Sequence, residues 1–247
     1  MALTLLFAAA LWAGVQNALA GGGSFITLPS LILTGMDARA ANITSTVALF
    51  PGQVVSGLSN RAHVSGAAGV SIRVLIIISL LGGALGALLL LWTPSSFFAR
   101  LVPWLVLFAT AMFAWGSFGP KREGGPRMGP LGAGIAQFGI SIYGGYFGGG
   151  IGFLMLAALT AAGLLIRPAQ ATKNLLAGVM NASAVLIFLF SPQVHWLQAA
   201  IACAGAMLGG IAGARMIHRV NEKLLRLFVI LIGLVLTIGL FVRAHGA

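Results

Sequence analysis

Apolar positions in this chain fall in long, nearly unbroken runs, separated by short clusters of glycine, proline, small polar and basic residues. A helix crossing a bilayer needs about 20 consecutive apolar residues. On that measure the pattern predicts helical segments at 2–19, 24–35, 42–59, 74–92, 97–118, 131–147, 151–166, 172–190 and 197–214, and a tenth ending near Val242. The second is short: its twelve residues would cover only about 18 Å, which suits a re-entrant or broken helix better than a full span. A transmembrane β-barrel would need alternating ten-residue strands, roughly, and the continuous runs exclude it. Residues 2–19 end in small residues, as a signal peptide would, but lack a basic leader and read as a retained helix.

The pattern repeats. Shifted by 128 residues without gaps, Gly21, Gly22, Phe25, Leu28, Leu31, Gly35, Arg39, Ala41 and Thr44 fall on Gly149, Gly150, Phe153, Leu156, Leu159, Gly163, Arg167, Ala169 and Thr172. That is nine identities over 37 positions, and the arginine, alanine and threonine weigh more than glycine or leucine in such a composition. The chain therefore reads as two repeats, 1–118 and 131–247, joined by a basic linker at 119–130.

Loop charge gives the copies a direction. Loop 60–73 carries two arginines and its partner 188–201 carries no Lys or Arg, while 93–100 carries one and 215–226 carries four. Lys/Arg-rich loops stay cytoplasmic, so corresponding loops are expected on opposite faces. The fold expected is an all-α polytopic membrane protein of two inverted-topology repeats. Each has about five helical segments, with short Gly-flanked helices that are broken or re-entrant. Matching glycine-interrupted short segments in inverted copies point to a transport site at the midplane.

Composition agrees with this picture and narrows the chemistry. Of the 247 residues 59% are hydrophobic and only 7% charged, against about 25% charged in soluble domains. The net charge of +11 comes from basic residues scattered through loops, so it reads as topology, not nucleic-acid binding. The five tryptophans mostly read as interface anchors. One cysteine, Cys203, leaves no intrachain disulfide. The four histidines fall in loops or the tail, so no metal and no cofactor is expected. No Ser–His, Asp–Asp or histidine–metal spacing lies inside a segment, so no enzyme is expected.

All three acidic residues, Asp37, Glu123 and Glu222, fall in turns or loops. Cation carriers usually rest on carboxylates inside the membrane, so an anion is the better cargo. Helix N-termini offer unpaired N–H groups and a favourable dipole to an anion. Four such ends are expected, after Gly23 and Gly150 and at Thr44 and Thr172. The candidate binding residues are Lys173 as the direct contact, Thr172, Asn174, Thr44, Ser45 and Asn42 as donors, Gly22, Gly23, Gly149 and Gly150 as close-approach positions, and the amide Asn181. Each has a plainer role available: snorkelling for the lysine, capping for the small polar residues, close helix packing for the glycines, and interhelical bonding for the amide. Arg39 and Arg167 read as turn or interface charges.

The glycine cluster, short apolar run and A-x-x-T seen twice, with Thr172-Lys173, Asn181, Val194 and Trp196, resemble the sulfite exporter TauE/SafE family. The likeness extends over nearly the whole length. It implies export or uptake of sulfite, organosulfonates and related sulfur anions. The first copy departs from the second in Ser45 against Lys173 and Pro29 against Ala157. The expectation is a secondary transporter of a small sulfur-containing anion working by alternating access, multi-pass in the cell membrane. A passive anion channel, or a carrier of another small organic anion, is the alternative. The expected partners are the anionic substrate and the lipid bilayer, no nucleic acid, with a homodimer left open.

Overall fold

One acid and one proline decide where the central helices begin. Asp37 Oδ1 accepts hydrogen bonds from the backbone N–H of Arg39 (3.0 Å) and Ala40 (3.1 Å), capping a helix that starts at Ala38. Pro168 sits in the first turn of another helix, where its missing N–H removes no helical bond. In the computed structural model, which describes residues 2–19, 22–59, 61–118, 128–216 and 222–245, the helices are α1 (Ala2–Leu19), α2 (Ser24–Leu33), α3 (Ala38–Ser59), α4 (Ile72–Trp92), α5 (Ser95–Phe118), α6 (Pro130–Tyr146), α7 (Ile151–Ala161), α8 (Ile166–Phe188), α9 (Trp196–Met216) and α10 (Glu222–His245). The linker at 119–127, Gly21 and the stretch 217–221 lie outside the described residues.

The chain is an all-α membrane protein. Among the described residues, four helices are long and apolar enough to cross a membrane: α4, α5, α8 and residues 196–213 of α9. α2 and α7, with 10 and 11 residues, extend only about 15–17 Å. Large apolar side chains such as Leu81, Trp104, Leu131 and Val235 point outward, as a lipid-facing surface requires. Inside, Leu28, Phe98, Phe113 and Phe188 anchor the larger core, and Met155, Leu159, Leu176 and Leu75 a smaller one.

One expectation needs correction. α3 and α8 were expected to open at about 42 and 172; they begin at Ala38 and Ile166. Polar residues there belong to the helices instead of ending them, because Asp37 and Pro168 start them earlier. Thr44 and Thr172 are therefore interior positions, and their N–H groups are not free helix ends. Of four anticipated N-termini, only those of α2 and α7 stand where expected.

Close approach of backbones defines the helix pairs. A Cβ on Gly209 would collide with the Leu11 carbonyl, and one on Gly205 would meet Phe7 and Leu11, so α1 and α9 touch along glycine faces and run parallel. Gly86 lies against Ile142 and Tyr146, Gly82 against Phe138 and Ser141, and Gly145 against Gly83, which sets α4 parallel to α6. In contrast, α3 and α8 are antiparallel, because the first half of each is tied to the loop following the other. The α5–α10 pair is also antiparallel: Gly233 sits on Thr110, the Trp104 and Phe241 rings stack edge-on at 5.0 Å, and Arg226 reaches the Ser117 carbonyl at 3.4 Å. Every major pairing has a counterpart 128 residues away: α1–α9 with α6–α4, α4–α8 with α9–α3, and α2–α3 with α7–α8.

Candidate functional site

In the first half, the polar candidates are already engaged. Asn42 Nδ2 donates to the Tyr146 carbonyl (3.2 Å) at the end of α6. Ser45 and Thr27 hydroxyls share a buried hydrogen bond of 2.6 Å, joining α3 to α2. The Gly22 carbonyl accepts from Gln16 Nε2 (3.1 Å), and Gly23 N–H donates weakly to Asn17 Oδ1 (3.5 Å). Thr44, fully buried, accepts at Oγ1 from the His195 N–H (3.2 Å) on the loop between α8 and α9. These groups join elements together, and each spends donor or acceptor capacity doing so.

The second half differs at one decisive position. Gly150, at φ +73°, caps α7 in the left-handed conformation that glycine adopts most freely, and Ala109 of α5 packs against it. Tyr143 Oη donates to the Gly149 carbonyl (2.9 Å). Thr172, also fully buried, accepts from Ser65 N–H (3.1 Å) and donates to the Ser65 carbonyl (3.2 Å). Lys173, where the first half has Ser45, reaches α7: its Nζ and Cδ each stand 3.8 Å from the point where a Gly152 Cβ would lie. It is seven residues into α8, so about 10 Å along the helix. Among the described residues the ammonium has no hydrogen-bond acceptor and no carboxylate partner. Asp37, the acid whose side chain is described, caps α3 at an exposed turn. Asn174, half-buried beside Lys173, has no hydrogen bond through its side chain among the described residues.

The ammonium and the first turn of α7 bring two positive potentials together. The dipole puts roughly half a positive charge at a helix N-terminus. Lys173 and this end repel each other unless a negative charge lies between them, which is what an anion site requires.

Further along the same helix, Asn181 Nδ2 donates to Gln53 Oε1 at 2.6 Å. The two residues are 128 apart, the offset of the sequence repeat, and they touch where α3 crosses α8. Asn181 is 2% exposed and its Oδ1 has no donor. Gly178, one turn earlier, faces the Gln53 carbonyl, which would lie 3.7 Å from an added Cβ. The structure thus gathers Lys173, Asn174, Gly150 and Asn181 along the α7–α8 side and sets Asn42, Thr44, Ser45, Gly22 and Gly23 in the ties of the first half. Gln53, like Asn181 a mid-helix amide that the sequence leaves open between interhelical bonding and a pathway, and Gly152, a member of the second glycine cluster, lie outside the expected binding set. The 128-residue frame signalled Gln53 by laying it on Asn181; Gly152 was one glycine among several.

Other polar groups have structural work. Arg39 donates from Nη1 to the carbonyls of Leu91 (3.2 Å) and Thr93 (2.7 Å), closing the C-terminus of α4. Gln137 Nε2 bonds Ser79 Oγ (2.8 Å) between α6 and α4. Among the described residues no three His, Cys, Asp or Glu side chains cluster as a metal site would need.

Comparison with known proteins gives a consistent set of relatives. The family model described as sulfite exporter TauE/SafE matches residues 6–240. A probable membrane transporter protein of Haemophilus influenzae is 30% identical over 244 residues, covering 95% of this chain and 92% of the relative. The probable membrane transporter protein YfcA of Escherichia coli K12 is 27% identical over 257 residues, with 99% and 91% covered. A probable membrane transporter protein ORF9 from Sinorhizobium is 30% identical over 251 residues, with 96% and 92% covered. No solved structure matches.

Proposed function

We infer that this chain, which belongs to the sulfite exporter TauE/SafE family and is a membrane transporter, carries a small sulfur-containing anion across the cell membrane as a secondary transporter. The observation that carries the reading is Lys173: an ammonium well inside a spanning helix, set against the first turn of α7 with no acid beside it among the described residues. A charge at that depth is expensive and marks a site or pathway. A sulfite or sulfonate group offers three oxygens, enough to meet the ammonium and the α7 N–H groups together, with Asn174 alongside.

The reading includes inverted repeats and alternating access. Its support is the antiparallel setting of the two self-equivalent pairs, α3–α8 and α5–α10, since a two-fold axis in the membrane plane reverses one copy relative to the other. The Gln53–Asn181 contact supports it too, because equivalent residues can touch only near such an axis. The chain would then be multi-pass, with the anion held near the α3–α8 crossing.

The test is counterflow in proteoliposomes made with the purified protein, using radiolabelled sulfite and methanesulfonate. A carrier is stimulated by substrate on the far side, whereas a passive channel is not. Lys173→Gln should abolish the flux while the protein stays folded. Wild-type flux in that variant would remove Lys173 from the site.

A further inference from the structure

Threonines inside helices usually bond back to their own helix, and several here do. Thr46 donates to the Asn42 carbonyl (2.9 Å), Thr160 to the Leu156 carbonyl (2.9 Å) and Thr237 to the Gly233 carbonyl (2.7 Å). Thr44 and Thr172 do not. Each turns a fully buried hydroxyl onto the backbone of a loop that belongs to the opposite half. Thr44 of α3 holds the loop after α8, and Thr172 of α8 holds the loop after α3.

The exchange is reciprocal in the 128-residue frame. Thr44 and Thr172 are equivalent, and Ser65 maps onto position 193, two residues before His195. Because α3 and α8 are antiparallel, the two ties stand at opposite ends of the crossing, with Gln53–Asn181 between them and Lys173 next to the Thr172 tie. Both grip backbone atoms, so each tie fixes the path of a loop whatever its side chains are.

We propose that Thr44 and Thr172 are the two gate residues of the transport cycle, each latching one end of the pathway shut and releasing in turn. The proposal rests on the alternating-access reading above and assigns these hydroxyls to gating in place of substrate contact. The ends are unequally held. Ser65 is gripped at both its N–H and its carbonyl, and Ala68 on the same loop donates to the Ala162 carbonyl (3.2 Å); His195 is gripped through one bond. By its two arginines, the Ser65 loop is the cytoplasmic one. The conformer described here therefore opens more readily at the outer, His195 end.

The experiment uses two cysteine pairs in a Cys203→Ala background, which removes the chain's one thiol. One protein carries Ser65→Cys with Thr172→Cys, the other Thr44→Cys with His195→Cys, each bridged by a short bis-methanethiosulfonate, which joins the two thiols through reducible disulfides and releases sulfinate. Methanesulfonate counterflow and methanesulfonate binding in detergent are measured before bridging, after it, and after reduction. Each bridge is expected to cut counterflow more than tenfold, to leave binding within twofold because the other end still opens, and to be reversed by reductant. Counterflow that continues through either bridged pair would overturn the proposal by making the tie static. Loss of binding together with counterflow would also overturn it, since the tie would then shape the site. No methanesulfonate binding in the Cys203→Ala background itself would count against the anion reading, a separate failure.

Discussion

Replacing Gly152 with alanine separates the anion site from the fold that holds it. The new methyl would stand 3.8 Å from both Lys173 Cδ and Lys173 Nζ, an ordinary van der Waals distance. Nothing must move to admit it, and alanine is favoured over glycine within a helix by about 0.5–1 kcal/mol. The variant is expected to fold and to be at least as stable as the parent. The same methyl covers the flank of the ammonium that faces the first turn of α7, where the anion is proposed to lie. A hydrogen bond to a charged group contributes about 1.5–3 kcal/mol, so one lost contact should weaken binding about 10- to 150-fold. The assay is a methanesulfonate titration of purified parent and variant, followed by thermal stabilisation. Ligand at 100 times its Kd adds about 2.7 kcal/mol to a native state that alone binds it, so a shift of that size in affinity is readily resolved. An alanine variant that is stable and binds methanesulfonate as tightly as the parent would refute the placement of the anion beside Gly152.

Other perturbations test the frame around that site. Lys173→Arg keeps the charge but changes its shape, so it should retain part of the counterflow that Lys173→Gln loses; equal loss in both would mean that charge is not what matters there. Gly209→Ala drives a methyl into the Leu11 carbonyl on α1, an overpacking expected to cost about 1–3 kcal/mol; melting in detergent at the parent temperature would show that α1 and α9 are not closely packed. Gln53→Leu and Asn181→Leu, alone and together, should show a coupling of about 0.6–1.7 kcal/mol, the range for hydrogen bonds between membrane helices; strict additivity would deny the contact any energetic role. Arg39→Ala strands the Leu91 and Thr93 carbonyls at the end of α4 and should lower stability by about 1.5–3 kcal/mol, read as thermal aggregation in detergent.

Much of the helical layout was legible because apolar run length is set by the bilayer. Segments read at 2–19, 74–92 and 131–147 correspond to α1, α4 and α6 within two residues at either end. The starts of α3 and α8 were not legible. Polar residues there looked like loop, while the capping carboxylate of Asp37 and the helix-starting geometry of Pro168 act before the apolar run begins. Lys173 stood out as an ammonium amid apolar sequence, but its neighbour did not, since Gly152 differs from the other glycines only by what packs against it. The ties at Ser65 and His195 left no trace, because a backbone N–H or carbonyl is the same whatever residue carries it. The meeting of Gln53 with Asn181 was latent in the 128-residue frame, which says which positions are equivalent but not which of them touch.

The parallel, glycine-faced pairs carry a consequence for biosynthesis. α1 has its closest neighbour in α9, and α4 in α6, so each tight pair joins the first half of the chain to the second. While the ribosome is still making the middle of the protein, the face of α1 that will receive the α9 glycines lacks its partner. A fragment ending after α5 would be inserted yet unfinished, and coexpressing it with the remainder should restore what neither piece achieves by itself.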